Sequence, residues 1–131
     1  MKLNCDLGES FGMWKMGLDE QVMPHIDMAN IACGFHAGDA DVMANTLALA
    51  KQNKVMVGAH PSYPDKQGFG RRSMAMSEKE LTNCLHYQIA AIDGMAAVHG
   101  LTLEYVKPHG ALYNDMMSDE QTLNIVMGAG A

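Results

Sequence analysis

The chain has 131 residues, 48% of them hydrophobic and 18% charged, and its formal net charge at pH 7 is −6. This composition excludes an intrinsically disordered chain, and scattered lysines and arginines exclude the concentrated positive face of a nucleic-acid binder. No run of apolar residues reaches the roughly 18 residues that a membrane-spanning helix needs.

Four short hydrophobic runs predict β-strands, and a charged or histidine side chain stands at or near the end of each. We predict these strands near residues 2–6, 27–33, 54–60 and 102–107. A glycine or proline follows within a few residues and stops the strand. The stretches between the strands are long enough for helices, so the pattern is typical of parallel βα units in an α/β fold.

Helices are predicted between and after the strands. Hydrophobic residues at helical spacing predict one helix over residues 39–52. A capping box of a serine and a glutamate opens a second helix that extends over residues 77–100. Ser118 and Gln121 repeat the box pattern and predict a last helix. We find no linker or internal repeat, which predicts a single domain over residues 1–131.

The length limits the architecture to part of a barrel. A closed (β/α)₈ barrel takes about 250 residues, so 131 residues suffice for four parallel strands or half a barrel. We therefore expect the N-terminal part of a longer barrel. Such a half-barrel leaves two open sheet edges, which predicts self-association or low stability of the isolated chain.

Polar side chains gather at the predicted carboxyl ends of the strands, the rim where active sites of α/β folds lie. Because side chains alternate along a strand, Asn4 should share a face with Asp6, and Asn30 with His36 if that strand stays extended. The same alternation places Tyr105, Lys107 and His109 together. The candidate catalytic residues are Asp6, Glu9, His36, His60, Lys107 and His109.

Two kinds of chemistry suit these candidates. Histidine titrates near neutral pH, so Asp6 with His36 or His60 could act as general acid and base. The same three side chains, Asp6, His36 and His60, could instead bind a divalent metal such as Zn²⁺ or Mn²⁺. Lys107, held extended by the proline that follows it, suits a developing oxyanion or a phosphate oxygen.

The segment 61–77 is a long connection of 17 residues, whereas βα loops usually have roughly two to six. Long loops in compact domains are often functional, and this one carries Arg71 and Arg72. Guanidinium groups bind carboxylate or phosphate through paired hydrogen bonds. Neither a P-loop nor a GxGxxG helix start is present, so any nucleotide binds in another way.

Five ordered segments, NCDLGE, ANIACGFHAGD, GAHPSYPD, GFGRR and KPHGALYN, together resemble the LamB/YcsF family. The resemblance covers residues 3–114. Members of that family are longer and form an irregular (β/α) barrel of the glycoside hydrolase/deacetylase type, so this chain resembles their N-terminal half.

The resemblance implies an activity and partners. The family is the A subunit of the prokaryotic ATP-dependent 5-oxoprolinase, which opens 5-oxoproline to L-glutamate together with B and C subunits. It implies ATP with Mg²⁺, phosphate or carboxylate binding by Lys107, and proton transfer by Asp6 with His36 or His60. We expect the chain alone to be incompetent for turnover. The residues expected to bind substrate or phosphate are Asn30, Arg71, Arg72 and Asn114.

Two other functions fit the same residues. The first is a metal-dependent amidohydrolase or deacetylase that works without ATP. The second is a binding or assembly module without turnover, since half a barrel supplies only part of a rim. Three cysteines without CxxC spacing and no signal-peptide pattern predict reduced thiols and a cytoplasmic protein.

Overall fold

The computed structural model describes residues 2–11 and 19–130, which form a parallel four-stranded sheet flanked by helices. The strands lie in chain order, β1-β2-β3-β4, and each pairs in parallel with the next. This arrangement confirms the predicted α/β fold of parallel βα units. The elements are β1 (Asn4–Leu7), α1 (Asp19–Val22), a 3₁₀ turn (Met23–His25), β2 (Met28–Ala32), α2 (Ala40–Gln52), β3 (Met56–His60), α3 (Glu78–Val98), β4 (Leu103–Val106), α4 (Gly110–Ser118) and α5 (Glu120–Ala129).

One histidine, His36, reaches the sheet rim differently from the prediction. We expected Asn30 and His36 to share an extended strand, but β2 ends at Ala32 and the chain turns, with Gly34 donating to the Ala37 carbonyl at 3.0 Å. The predicted shared face is therefore wrong for His36, which enters from a loop. His109 lies beyond the end of β4 as the N-cap of α4, but the backbone stays extended up to it, with the amides of Lys107 and His109 donating to the carbonyls of Ala59 and Pro61.

The first two long helices begin close to their predicted positions, and a side chain caps each of them. The Asp39 carboxylate accepts from the Val42 amide at 2.9 Å and caps α2. At the start of α3, Ser77 and Glu80 form the predicted reciprocal box, with contacts of 3.0 and 3.1 Å. Each cap satisfies amide groups that the helix itself leaves without a partner.

The C-terminal helices differ from the prediction in number and in capping. Residues Gly110–Ser118 form a helix that we did not predict, and Ser118 is its last residue. The cap of α5 is Asp119, whose carboxylate accepts from the Gln121 amide at 3.3 Å and from the Thr122 hydroxyl at 2.7 Å. The predicted box of Ser118 and Gln121 is therefore wrong, because a carboxylate one residue later makes the stronger, charged cap.

The hydrophobic core has two parts. The first packs against the sheet, and the second holds segment 61–77 in place. One lies between the sheet and the helices α2 and α3, and the other joins Tyr63 of segment 61–77 to α3, α4 and α5. Within the described ranges, none of the helices combines the length and the hydrophobicity needed to cross a bilayer. The largest fully buried apolar side chains of the two parts are Met23, Ile31, Leu47, Leu85, Ile92 and Leu112.

One row across the sheet is polar except where glycine makes room. The register aligns Asp6 with Asn30, Asn30 with Gly58, and Gly58 with Tyr105. A Cβ on Gly58 would stand 2.3 Å from the Tyr105 ring, so this ring lies directly over the glycine. The missing side chain lets the Tyr105 hydroxyl cross β3 and donate to Asn30 Oδ1 on β2.

We expect Gly58→Ala to destabilise the protein by about 1–3 kcal/mol, the usual cost of overpacking, because the new methyl group must displace the Tyr105 ring. The matched control is Gly94→Ala in α3, where a Cβ meets nothing within 4 Å. This second change should stabilise by up to about 1 kcal/mol through helix propensity. Urea denaturation of both variants measures the difference. Equal stability of the two variants would contradict the packing of Tyr105 on Gly58.

Candidate functional site

The six side chains predicted to be catalytic lie together at the carboxyl ends of the strands. Asp6 is the third residue of β1, and His60 is the last residue of β3. The chemical roles of all six stay predictions, but the structure brings them into one cluster. The other four come from the segments that follow β1, β2 and β4, namely Glu9, His36, Lys107 and His109.

Asp6 receives three contacts on one carboxylate oxygen. Its Oδ1 lies 3.0 Å from Asn30 Nδ2, 3.3 Å from Lys107 Nζ and 3.4 Å from His60 Nε2. The contact with His60, followed by the amide of Asn30, holds the pKa of Asp6 well below its usual range despite partial burial. Asp6 is therefore a carboxylate that faces an ammonium and an imidazole.

Asn30 fixes the position of that carboxylate. The side chain is fully buried, and its Nδ2 donates to Asn4 Oδ1 and to Asp6 Oδ1, both at 3.0 Å. Its Oδ1 accepts from the Tyr105 hydroxyl. Because protein groups engage both ends of the amide, Asn30 is built to position Asp6, and its predicted contact with substrate stays a prediction.

Two buried imidazoles, His60 and His109, face each other. Nδ1 of His109 lies 3.0 Å from Nε2 of His60. The outer nitrogens both meet backbone carbonyls, at 2.6 Å between His60 Nδ1 and the Lys107 oxygen and at 2.8 Å between His109 Nε2 and the Phe69 oxygen. A carbonyl only accepts, so both outer nitrogens carry protons.

This arrangement has a consequence for the two inner nitrogens. Two neutral imidazoles carry two protons, and both are used by the backbone carbonyls of Lys107 and Phe69. The inner nitrogens of His60 and His109 would then meet as two lone pairs at 3.0 Å. The pair therefore holds either a third proton between the rings or a cation that both lone pairs bind.

A second carboxylate–imidazole pair lies beside the first. His36 Nε2 is 2.8 Å from Glu9 Oε2, and the ring of His36 stacks on that of His109 with centroids 3.7 Å apart and an interplanar angle of 8°. His36 Nδ1 is buried and has no hydrogen-bond partner among the described residues. His109 thus connects Glu9–His36 with Asp6–His60.

Burial keeps two of the rings neutral. It lowers the pKa of His109 to about 4, and the nearby imidazole of His36 adds to the effect. Burial also lowers the pKa of His36, although the hydrogen bond with Glu9 opposes that shift. Neutral imidazoles can accept protons or bind a metal.

Segment 61–77 forms one wall of the site. The carbonyl of Gly70 accepts from the Ala111 amide at 2.9 Å, which ties the segment to the start of α4. A Cβ on Gly70 would stand 2.8 Å from His36 Cβ and 2.9 Å from His109 Cδ2, and its φ is +67°. Only glycine fits this backbone on top of the two rings.

The two arginines of this segment differ in their surroundings. Arg72 is paired with the buried carboxylate of Asp65 and so helps to hold the segment in shape. Arg71 is exposed, and its guanidinium carbon lies 5.2 Å from the centroid of the Phe69 ring. Arg71 also lines a cavity of 650 Å³ that Glu9 and His36 border.

Several residues at or near the site were missed or placed elsewhere by sequence reasoning. Asn114, predicted to bind substrate, is an exposed residue of α4 and does not line that cavity. Phe69, which lies in the GFGRR segment, contributes a backbone carbonyl, and Lys66 contributes a side chain; neither was among the predicted site residues. The role of Tyr105 could have been found, because strand alternation places it on the face of Lys107.

The cluster can also offer a metal ion four ligand atoms. One atom each of Glu9, His36, His60 and His109 lies within 4.8 Å of the others. This set shares two histidines with the predicted trio and has Glu9 and His109 where the prediction has Asp6. Imidazole nitrogens with one carboxylate suit Zn²⁺ and similar ions. The facing lone pairs of His60 and His109 fit such an ion.

Comparison with known proteins identifies relatives along the whole chain. The profile of the LamB/YcsF family matches residues 1–130. A 5-oxoprolinase A subunit of Pseudomonas putida, the one numbered 2, is 61% identical over 129 residues, which cover 98% of this chain and 50% of that protein. The 5-oxoprolinase A subunit of Vibrio cholerae is 60% identical over 129 residues, or 98% of this chain and 52% of that protein.

A solved structure has the same fold. The crystal structure of a lactam utilization protein from Thermus thermophilus superposes with a TM-score of 0.96 at 44% sequence identity. The match covers 98% of this chain and 52% of that one. The chain therefore spans about half the length of the relatives it matches, and its open sheet corresponds to part of an unclosed barrel.

The lowered pKa values predict a loss of stability on mild acidification. An unfolded histidine takes up its proton at about pH 6.5, whereas buried His109 does so at about pH 4 and His36 below its usual range. Between these limits the unfolded state binds more protons, so the free energy of unfolding falls as pH falls, by up to about 1.4 kcal/mol per pH unit for each histidine. The contacts that lower the pKa of Asp6 also stabilise the folded state, and that contribution is lost only at lower pH, where the carboxylate takes up a proton.

Urea denaturation between about pH 7 and about pH 4, with a chelator present, measures this slope. This range lies roughly between the pH at which an unfolded histidine takes up its proton and the pH at which buried His109 does. His109→Asn should reduce it by about one proton, whereas His86→Asn, at an exposed position of α3, should leave it unchanged. A stability that does not vary across this window would contradict the burial of neutral imidazoles.

Proposed function

Because the chain belongs to the LamB/YcsF family, we propose that it supplies the A-subunit part of a 5-oxoprolinase, which opens 5-oxoproline to L-glutamate with ATP. The observation that carries this proposal is the Asp6–His60 pair, set beside Lys107 at the sheet rim. The names of the Pseudomonas and Vibrio relatives supply the substrate. Lactam cleavage is a reaction that such an acid–base pair can serve.

The chemistry of a lactam explains why ATP would be needed. An amide carbon is a poor electrophile, and transfer of a phosphoryl group to the amide oxygen, with release of ADP, makes it a better one. Water then adds to that carbon, the C–N bond breaks, and the nitrogen leaves as an amine after taking a proton. Water also removes the phosphate, so a carboxylate and inorganic phosphate are formed. Each addition of water requires a group that accepts a proton.

The Asp6–His60 pair provides such a group. Asp6 is ionised, and His60 lies between its carboxylate and the ring of His109 with both nitrogens in polar contacts. When the place between the inner nitrogens of His60 and His109 is empty, it would take up a proton from water, and that proton would then be returned to the leaving amine. General acid–base catalysis of this kind contributes about 10²–10⁴-fold.

Lys107 provides the positive charge. Its Nζ lies 3.3 Å from Asp6 Oδ1, and its side chain is 42% exposed, so the ammonium can also reach a ligand at the rim. We propose that it stabilises the oxygen that gains negative charge when the phosphoryl group is transferred. Mg²⁺ would accompany the phosphates of ATP as in other phosphoryl transfers.

The proposed reaction takes place in the cytoplasm and requires partner subunits. The relatives carry names of one part of a larger enzyme, which supports the existence of further parts, and we propose that these are the B and C subunits of 5-oxoprolinase. The three cysteines in the described ranges are free. That state is the usual one in a reducing cytoplasm, where we place the reaction.

A metal-dependent amidohydrolase without ATP is the second candidate. The four ligand atoms of Glu9, His36, His60 and His109 and the facing nitrogens of the last two favour it. A divalent ion there would polarise a carbonyl oxygen or make bound water more acidic. Glu9 and His36 would then be ligands and no longer a second acid–base pair.

The test is a turnover assay with the chain and its partner subunits, which measures L-glutamate released from 5-oxoproline. We expect turnover only with ATP, and a loss of at least about 100-fold in kcat for Asp6→Asn and for His60→Gln. His86→Asn, at an exposed site on α3, is the matched control and should retain full activity.

Other outcomes separate the candidates. Turnover that does not need ATP but is abolished by a chelator and restored by Zn²⁺ or Mn²⁺ would support the amidohydrolase. No turnover by the unaltered chain, although it binds 5-oxoproline, would support a binding module. Unchanged activity of both site variants would contradict the assignment of the Asp6–His60 pair.

A further inference from the structure

Two cationic side chains border the cavity beside Glu9, and neither belongs to an ion pair of the described residues. The cavity of 650 Å³ is lined by Lys66 and Arg71 from segment 61–77. Within residues 2–11 and 19–130, neither forms an ion pair with an acidic group, whereas the adjacent Arg72 is paired with Asp65. In a chain with a net charge of −6, two such cations at one cavity mark a place where an anion is attracted.

Aromatic rings hold these cations at the cavity wall. Lys66 Nζ lies 3.8 Å from the centroid of the Phe11 ring, and Arg71 Cζ lies 5.2 Å from that of Phe69. Cation–π contacts of this kind orient the charge without cancelling it. Because the side chains are already restrained, binding a ligand costs less side-chain entropy than it would on free surface chains.

The cavity continues from these cations to the cluster. Glu9 and His36 line it together with Phe11 and Phe69, and the Phe69 ring contacts His36 edge-on with centroids 5.1 Å apart. One end of the cavity is therefore cationic, its walls include two flat apolar rings, and the other end is a carboxylate–imidazole pair. These three features together suit a small flat ligand that carries an anionic group.

We propose that Lys66 and Arg71 form an oxyanion subsite, which binds the carboxylate or phosphate of a ligand whose flat body lies against Phe11 and Phe69. The proposal rests on the proposed function for the choice of ligand, since 5-oxoproline has a carboxylate and ATP has phosphates. Both anions are recognised by the same paired N–H donors. The two arginines therefore differ in role: Arg71 binds the ligand, whereas Arg72 pairs with Asp65 and holds segment 61–77 in shape.

The experiment measures calorimetric affinities of the 131-residue chain for two pairs of probes. Each pair compares an anionic compound with a neutral counterpart, 5-oxoproline with 2-pyrrolidone and ATP with adenosine. The variants are Lys66→Gln and Arg71→Gln, and Lys79→Gln, on the exposed first turn of α3, is the control of equal charge.

We expect each subsite variant to weaken binding of at least one anionic probe about tenfold or more, as loss of a charged hydrogen bond does. Binding of the neutral counterpart and of every probe to Lys79→Gln should stay unchanged, and Arg71→Lys should recover part of the loss. The probe affected distinguishes a carboxylate from a phosphate subsite. Thermal melts of all variants confirm that each is folded.

The subsite is overturned if both variants bind 5-oxoproline and ATP as the unaltered chain does, or if neutral and anionic probes weaken equally. It is also overturned if the unaltered chain binds neither anion better than its neutral counterpart. The turnover assay remains separate. Glutamate formation that persists unchanged in Lys66→Gln and Arg71→Gln would overturn the subsite and leave the proposed function standing.

Discussion

Between β3 and the start of α4, the buried rings of His60 and His109 face each other through nitrogens 3.0 Å apart. Two backbone carbonyls, those of Lys107 and Phe69, accept from their other nitrogens. A buried imidazole without partners costs free energy comparable to a lost hydrogen bond. The carbonyl of Lys107 must therefore stand at the end of β4, and that of Phe69 must be brought over from segment 61–77. The position of these two carbonyls determines the shape of the rim.

That requirement explains the glycine and proline residues around the cluster. Pro108 keeps Lys107 extended so that its carbonyl meets His60. Gly110 has a φ of +58°, and a Cβ there would stand 2.5 Å from the Gly70 oxygen, so the two glycines let segment 61–77 pass close to α4. The close passage also covers the rings with backbone and excludes water from them. Burial then keeps the pKa of His109 low.

Much of the fold was predictable because it depends on local patterns. Four hydrophobic runs locate the strands, the helical spacing of hydrophobic residues locates α2, and the capping box that begins at Ser77 locates α3. The helix Gly110–Ser118 was not predicted: its N-cap, His109, makes no side-chain cap hydrogen bond, and its buried residues pack against α3 and α5, which are distant in sequence. Asp119 competes with Ser118 for the same cap, which sequence spacing does not resolve.

That the candidate side chains lie together was predictable, but their contacts were not. Strand ends make Asp6 and His60 candidates, since the active sites of α/β folds lie at the carboxyl ends of parallel strands. The stack of His36 on His109, by contrast, depends on two loops that meet only in three dimensions. Lys66 escaped prediction for the same reason, because its neighbour Phe11 is distant in sequence. Long-range loop contacts have no periodic signal to reveal them.

Backbone carbonyls fix the proton positions on the two facing rings. Nitrogen NMR of the chain labelled in its histidines reads which ring nitrogens carry protons, and a chelator in the sample removes any metal. We predict a proton on Nδ1 of His60, held by the Lys107 carbonyl, and one on Nε2 of His109, held by the Phe69 carbonyl. A lone pair on either of these two nitrogens would contradict the arrangement on which the proposed chemistry depends.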